Sequence, residues 1–472
     1  MSGNSKASSP VPLAAYQKGI LAVALITSFI IPFMGSALNL SVTDMGTEFH
    51  AGVTTITWVI NAFTLTTAVL AVPFGHLADT TGHQRILIAG VGLFALCCVA
   101  AAVSSSILLL IIVRVLQGLA AAMISGTNIP LLTGAFPPSH RGKVLGLSVT
   151  ATYVGLSLGP VLGGIINAAL GWRAIFCLTF FVCATSFFLA RRFTQEDRRP
   201  SPPVSDRLGN VLYMLMIAAL MLGLSEWSGK GWAKALVIIS IPLFFWFVRH
   251  ELKTTAPVVQ VSLFQHDFGY SLSNLAALLN YGSTFAVGYT MSLYLQNVHG
   301  MSSSTAGLVL CSQPIMMAIL SPMAGRLSDR IPPYKLASLG MLITSCGLFF
   351  LSRIHASLPL WHIVLPLLVI GIGFGLFSSP NMNAVLSCVD KRHYGEANSI
   401  LSTMRTLGQS SSMVMVLFIL GSTLGNIVVT QASPEVLTGA IRTTLLASGF
   451  ICLVGTGISL VRGRPYRKNI VV

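Results

Sequence analysis

The stretch Gly155-Leu156-Ser157-Leu158-Gly159-Pro160-Val161-Leu162-Gly163-Gly164 decides the fold class of this chain. It lies inside an apolar segment, about 144–168, that is long enough to cross a bilayer as a helix. The glycines at positions 155, 159 and 163 recur every four residues, so they share one helix face and let another backbone come close. The proline in the same turn lacks a backbone donor and is expected to bend the helix. The pattern predicts a close, bendable seam, with plain glycine packing as the alternative.

Segments of this kind recur along the whole chain. Of its 472 residues, 54% are hydrophobic and 9% are charged, whereas soluble proteins carry about 25% charged residues. We therefore predict an all-α membrane protein with fourteen spans, numbered here in chain order: 18–42, 53–75, 86–104, 107–133, 144–168, 172–192, 209–226, 233–250, 270–296, 304–325, 336–353, 360–384, 397–421 and 438–461. The first span is too long for a cleavable signal and is expected to stay as an anchor.

The basic residues are distributed unequally between the two sides of these spans. Of 28 Lys and Arg residues, 22 fall on the side that holds both termini and 5 on the other. This excess predicts that both termini are cytoplasmic. The net charge of +15 is then explained by loops that face cytosol and lipid headgroups, so no nucleic-acid partner is expected. The expected location is the cytoplasmic (inner) membrane of a bacterium or archaeon.

An internal repeat divides the chain. Gly75-His76-Leu77-Ala78-Asp79 ends span 2, and Gly325-Arg326-Leu327-Ser328-Asp329 ends span 10, at an offset of 250 residues. Two bundles related by a parallel repeat are predicted. The expected units are a cytoplasmic tail, a six-helix bundle, a charged linker with two extra spans, a second six-helix bundle and a basic tail, over 1–17, 18–192, 193–262, 263–462 and 463–472.

These motifs together resemble the major facilitator superfamily, in its fourteen-helix drug:proton antiporter branch. Gly75-x-Leu77-Ala78-Asp79-x-x-Gly82-x-x-Arg85 is similar to the loop signature after the second helix, and Arg114-Val115-Leu116-Gln117-Gly118 to the fourth-helix signature. The glycine-proline stretch is similar to the antiporter signature of the fifth helix. Arg405-Thr406-Leu407-Gly408 resembles the pattern of the thirteenth helix.

The resemblance implies gating residues at the two repeated loops, which are Gly75, Asp79, Gly82, Arg85, Gly325 and Asp329. Asp79 would meet the start of span 13 and latch an outward-open state, and Asp329 would act likewise near span 5. A solvated loop charge is the alternative for both carboxylates.

The resemblance fails at span 1. An alignment on Asn39 places Met34 where the family often has an acidic residue, so the residue that couples protons stays open. Arg114 is an intramembrane charge, which is costly and usually has a functional reason. It is expected to act as a cavity charge that tunes protonation or attracts anions, with a structural tie among spans 1, 2 and 4 as the alternative. The other coupling candidates are Gln117, Asp44 and Glu226. With Met34 neutral, a net positive cavity is expected.

Polar and aromatic side chains on otherwise apolar spans predict the substrate cavity. Interhelical hydrogen bonding is the alternative for each of them. They are Asn39, Asn61, Thr64, Tyr153, Asn280, Tyr281, Thr284, Tyr289, Asn381 and Asn383.

The function predicted from these observations is secondary active export of small amphipathic molecules or drugs by alternating access and proton antiport. The alternative is an uncoupled facilitator or a specific exporter of a neutral or anionic metabolite. A scaffold or sensor without transport activity is disfavoured by the two repeated loops. No nucleophile, acid pair, metal site or Walker-type loop is recognisable, so we predict neither an enzyme nor a cofactor or metal. The expected partners are the small-molecule substrate, protons and membrane lipid, and a monomer is expected.

Overall fold

The protein is described by a computed structural model that covers residues 13–193, 206–227, 231–254, 257–259, 261, 264, 267–328, 330–355, 358–389, 394–425 and 432–462. These residues form helices and contain no β-strand. Thirteen of the helices are long and apolar enough to cross a membrane. The predicted all-α membrane fold is confirmed.

Spans 1 to 6 are the helices Leu13–Asn39, Val53–Thr81, His83–Ala102, Ile107–Ala135, Pro138–Leu170 and Trp172–Arg192. Spans 2 and 5 extend several residues beyond their predicted ends, because a helix can continue past the apolar core that the hydrophobicity pattern marks. The sequence did not predict the short helix Val42–Glu48, which follows span 1 and whose Val42, Met45 and Gly46 are buried.

Spans 7 and 8, Arg207–Ser225 and Gly231–Glu251, form the inserted hairpin. Spans 11 to 14 are Pro333–Leu351, Trp361–Ser387, Tyr394–Thr423 and Pro434–Val461.

Spans 9 and 10 each consist of two helices. Span 9 is Phe268–Thr284 followed by Val287–Asn297, and span 10 is Ser303–Leu310 followed by Ser312–Leu327. The break in span 9 leaves the Ala286 amide without its helical acceptor, and this N–H donates to Ser412 Oγ of span 13 at 3.1 Å. A freed backbone donor inside a membrane protein needs such a partner. Span 9, counted as one span made of these two helices, brings the thirteen candidate spans to the fourteen that the sequence predicts.

The glycine seam of span 5 faces span 1 within the same bundle. A Cβ at Gly163 would lie 2.6 Å from Ala37 Cα, and one at Gly159 would lie 3.0 Å from Phe33 O. The backbones of the two helices approach this closely because the side chains are missing. Span 5 runs through Pro160 as one continuous helix.

The inserted hairpin lies against the junction of spans 2 and 13 and is held mainly by span 2. Tyr213 OH donates to Ala68 O at 3.2 Å, and Asn210 Nδ2 lies 2.9 Å from His76 Nδ1. Nearer the outer side, Asn61 Nδ2 donates to Ser225 Oγ at 3.2 Å. These bonds follow most of the length of span 7, while Leu407 and Val414 of span 13 pack in one apolar core with the hairpin.

Candidate functional site

The two bundles are joined at the end that the charge distribution assigns to the outside. We call this set of contacts the outer clamp. Ser292 Oγ donates to Asn39 O at 2.6 Å, and Gln296 Nε2 donates to Leu40 O at 3.0 Å. Thr57 and Tyr289 share a hydrogen bond between their hydroxyls. Further clamp contacts are Asn297 to Thr43, Thr54 to Gly425 O, and Ser303 to Gly164 O.

Toward the cytoplasmic side the bundles enclose a cavity of about 1230 Å³, here called the inner cavity. Its walls are the cytoplasmic halves of spans 2, 4 and 13, with the inserted hairpin and residues 257–259, 261 and 264 closing one flank. Most of the lining is aliphatic, aromatic or methionine side chains such as Met216, Phe247 and Met404. A cleft of this size and apolarity, with few polar groups, is typical of a small-molecule site.

The side chains that line the inner cavity give it little charge. His76, Asp79 and Tyr213 are the titratable groups on its described wall. Arg114 does not line it. The described wall holds no Lys or Arg side chain, so Arg114 gives this cavity no positive charge, and a net positive cavity stays a prediction.

Arg114 is enclosed within the first bundle and has no exposed surface. Its Nε donates to Val59 O of span 2 at 2.8 Å, and its Nη1 donates to the Gln117 side chain. The guanidinium carbon lies 4.3 Å from the centre of the Phe63 ring. Gln117 in turn donates to Cys98 Sγ at 3.3 Å. These contacts tie spans 2, 3 and 4 together and favour the structural alternative. Asn39, expected within reach of Arg114, lies in the outer clamp.

The remaining coupling candidates lie outside the inner cavity. Asp44 is exposed at the outer end and accepts a hydrogen bond from Asn167. Glu226 accepts from Trp58 Nε1 at 2.9 Å and helps to attach span 7 to span 2. Met34 is fully buried, and its sulfur accepts from the Thr179 hydroxyl at 3.0 Å. An acidic side chain at position 34 would thus face span 6 rather than the cavity.

The predicted gating residues of span 2 lie at the mouth of the inner cavity. Gly75 and Asp79 line it, and Asp79 Oδ1 lies 3.0 Å from His83 Nε2. Gly82 has φ +106°, a conformation that favours glycine, and it separates spans 2 and 3. Arg85 is exposed. In the repeat, Gly325 faces Ser379, and Asp329 lies outside the described residues.

None of the ten predicted cavity residues lines the inner cavity. Asn39 and Tyr289 belong to the outer clamp, and Asn61 holds span 7. Four others bond inside one bundle: Thr64 and Thr284 to carbonyls of their own helices, Asn381 to Arg462 and Ser273, and Asn383 to Ser328. Asn280 is enclosed in span 9 with both side-chain polar atoms unpartnered. The sequence identified polar positions correctly but not the direction in which they point.

The two remaining residues, Tyr153 and Tyr281, meet between the bundles in a group we call the central cluster. Tyr153 of span 5 shares a hydrogen bond with Ser378 of span 12. The rings of Tyr281 and Phe374 meet edge to face with centroids 5.1 Å apart. Arg405 of span 13 places its guanidinium carbon 5.6 Å from the centre of the Tyr281 ring. Sequence analysis counted Arg405 as a cytoplasmic charge, although its place as the twelfth residue of the helix Tyr394–Thr423 could have revealed its depth.

A second group that the sequence did not single out lies at the cytoplasmic end of the hairpin. Asp206 caps span 7, and its Oδ2 lies 2.9 Å from His250 Nε2. Glu251 is 3% exposed and accepts from Val259 N at 2.9 Å. Val259 lines the inner cavity, so these groups fix the segment that forms one cavity wall.

Two bundles that are hydrogen-bonded across one end, beside a large apolar cavity, form the architecture of a membrane transporter. The Major Facilitator Superfamily model matches residues 24–410 and 273–471, and the chain belongs to that family. The chain is similar in fold to a bacterial homologue of the human lysosomal transporter Spinster in an inward-facing, unoccupied conformation. The TM-score is 0.67 at 14% identity, over 95% of this chain and 97% of that one.

Two bacterial relatives are similar over most of the chain. The riboflavin transporter RibZ of Clostridioides difficile is 26% identical over 82% of this chain and 85% of its own length. The multidrug resistance protein Stp of Mycobacterium tuberculosis is 28% identical over 79% of this chain and 70% of its own length.

Proposed function

We propose that this protein is a secondary exporter that moves small amphipathic molecules out of the cytoplasm by alternating access, with protons as the counter-ion. We place it in the cytoplasmic membrane. The observation that carries the proposal is the inner cavity, which is apolar, about 1230 Å³ in volume and closed at the outer end by the outer clamp. The multidrug resistance relative supports export of compounds of this kind.

The geometry supplies the parts of a two-state cycle. The outer clamp consists of a few hydrogen bonds and close backbone contacts, which can separate as units when the bundles rock. Asp79 faces span 13 across the cavity mouth, where Ile400 and Thr403 also line the wall. We propose that Asp79 leaves His83 and caps the start of span 13 when the cytoplasmic side closes.

Proton coupling needs a titratable group that substrate binding affects. Asp79 and His76 at the cavity mouth are the candidates on the described cavity wall, and Asp206, His250 and Glu251 adjoin it. A change in the position of residues 257–259 would reach Glu251 through its bond with Val259.

The second candidate is an uncoupled facilitator or a specific exporter of a neutral or anionic metabolite. It is favoured because no carboxylate other than Asp79 lines the described cavity wall, and because Met34 replaces the usual acid. The riboflavin transporter relative supports a metabolite as cargo.

Reconstitution distinguishes the two candidates. Proteoliposomes that hold purified protein and a pH-sensitive dye should release protons when a transported drug is added, and transport should follow an imposed pH gradient. The Asp79→Asn variant should bind substrate yet transport it several-fold more slowly. Substrate movement without any proton movement would support the facilitator, and the absence of transport for a panel of anionic, neutral and cationic compounds would contradict both.

A further inference from the structure

We propose that Arg405 is a receptor for the oxyanion of an amphipathic organic anion, whose apolar body occupies the inner cavity. This inference rests on the proposed export function and specifies the substrate class. The site consists of Arg405 and Tyr281, with Tyr153, Ser378 and Phe374 completing the central cluster.

Among the described residues, Arg405 contacts the Tyr281 ring and donates to no protein acceptor, whereas Arg114 and Arg462 each donate to the protein and keep one or two guanidinium nitrogens unpartnered. Arg114 donates to Val59 O and Gln117, and Arg462 donates to Ser273 Oγ at 3.0 Å and to Asn381 Oδ1 at 2.6 Å. Arg405 Nε is enclosed without a hydrogen-bond acceptor. The ion pairs of the described residues involve His83, Arg173 and His250, so no carboxylate neutralises Arg405 there.

The depth of the cluster makes an unpaired charge costly. At 1.5 Å per residue, Arg405, Tyr281, Tyr153 and Ser378 lie roughly 14 to 23 Å from the cytoplasmic ends of their helices. A guanidinium at such a depth is expensive unless a partner neutralises it, and such charges mark substrate or ion pathways. Its planar fork matches a carboxylate or phosphate.

Glycines let the backbones of spans 9 and 13 come close together beside Arg405 and Tyr281. A Cβ at Gly408, one turn further along span 13, would lie 2.5 Å from Leu278 O and 3.0 Å from Gly282 N. Spans 9 and 13 therefore approach most closely beside the arginine. The Tyr281 ring lies beside the Arg405 guanidinium at this contact.

The cluster adjoins the inner cavity. Met404 and Leu407 line the cavity, while Arg405 between them faces span 9. Arg405 is only partly buried, so a modest rotation of its side chain would present the guanidinium to a ligand in the cavity. An amphiphile with one anionic group would match both the Arg405 guanidinium and the cavity lining. Its anionic group would pair with the arginine, and its apolar part would contact the lining around Met216 and Phe247.

Three probes with one aromatic body test the charge preference: 1-pyrenebutanoate, its methyl ester and the corresponding pyrenylbutyl trimethylammonium ion. Binding is measured by pyrene fluorescence with purified protein in nanodiscs of zwitterionic lipid. Wild-type protein should bind the anion about tenfold more tightly than the ester, and the cation most weakly. Arg405→Gln should weaken anion binding by about 10- to 100-fold and leave ester binding unchanged. Arg405→Lys should retain part of the preference as a point charge.

Arg326→Gln is the matched control, because it removes the same charge from an exposed position at the cytoplasmic end of span 10, and it should keep the full preference. Equal affinities of wild-type protein for the anion and the ester would overturn the inference, even if Arg405→Gln does not fold. An equal loss of anion and ester binding in Arg405→Gln would assign the arginine a structural role instead. Binding of none of the probes would contradict the exporter proposal together with this inference.

Discussion

At the scale of single residues, the protein holds charge inside its helices in distinct ways. Arg114 is fixed by a carbonyl, an amide and an aromatic ring, whereas Arg405 rests on a ring alone. Both are arginines within apolar helices, and only their surroundings separate a structural tie from a candidate binding group.

The enclosure of Arg114 leads to a prediction about stability. Arg114→Gln should lower the free energy of unfolding by about 1–3 kcal/mol, because Val59 O and Gln117 lose a charged donor in a buried setting. Thermal denaturation in detergent measures the loss. The preference among anionic, neutral and cationic probes should stay as in the wild type. A variant of unchanged stability with an altered charge preference would restore the cavity role for Arg114.

Glu48 leads to a prediction about pH. Hydrogen bonds from Arg173 and Trp172 hold the pKa of the Glu48 carboxyl below its ordinary value of 4.5. A lowered folded-state pKa stabilises the protein above pH 4.5, and this contribution is lost as the pH falls through the lowered pKa. Because both side chains are over one third exposed, Glu48→Gln should cost no more than about 1 kcal/mol at neutral pH.

Thermal denaturation from pH 7 to pH 3 tests the Glu48 prediction. The difference between wild type and Glu48→Gln should disappear at the acid end. The double variant with Arg173→Gln should lose less than the sum of the single variants, since they share one interaction. A difference that persists at pH 3 would show that Glu48 acts through packing.

At the scale of elements, the break in span 9 depends on a neighbouring helix. The Ala286 N–H donates to Ser412 of span 13, and Ser412 is fully buried. This bond lies one to two turns beyond the Gly282 and Gly408 contact, so it also fixes the register of spans 9 and 13 near the central cluster.

Ser412→Ala should therefore lower the free energy of unfolding by about 1–3 kcal/mol, because it leaves a backbone donor unpaired in an apolar setting. Ser411→Ala is the matched control, since Ser411 donates to Leu407 O of its own helix at 2.8 Å and no freed amide depends on it. The shift in melting temperature in detergent measures the loss of stability in each of the two variants. Equal effects of the two variants would show that the break is stable without the serine.

At the scale of the whole molecule, span 5 serves two interfaces with two different faces. Its seam at Gly155, Gly159 and Gly163 packs on span 1 inside one bundle, while Gly164 meets Ser303 of the other bundle. A Cβ at Gly164 would lie 2.5 Å from Ser303 O, and Ser303 Oγ donates to Gly164 O in the outer clamp.

Gly164→Ala should shift the population toward the outward-open state, because overpacking costs about 1–3 kcal/mol in the closed clamp alone. Each 1.4 kcal/mol changes the ratio of the two states about tenfold. The opening of the outer side is measured in a background whose eight native cysteines are replaced. Leu40→Cys then supplies one reporter thiol at the outer end between the bundles. Labelling by an impermeant maleimide from outside should accelerate roughly tenfold.

Gly146→Ala is the matched control in the same helix, since a Cβ there would meet no atom within 4 Å. It should label at the wild-type rate. If Gly164→Ala also labelled at that rate, the close approach of spans 5 and 10 would not limit opening of the outer side.

The sequence by itself determined the helical membrane class, the order of fourteen spans and the positions of the repeated loops, because hydrophobicity over about twenty residues is a local property. It also located the seam, since a four-residue period fixes one helix face. Only the tertiary structure decided which helix that face meets and where the polar side chains point. The side chain of Asn61 contacts span 7, that of Met34 contacts span 6, and that of Arg405 contacts Tyr281. A polar residue in a span shows only that its side chain needs a hydrogen-bond partner. The position of that partner on another helix depends on how the whole bundle packs.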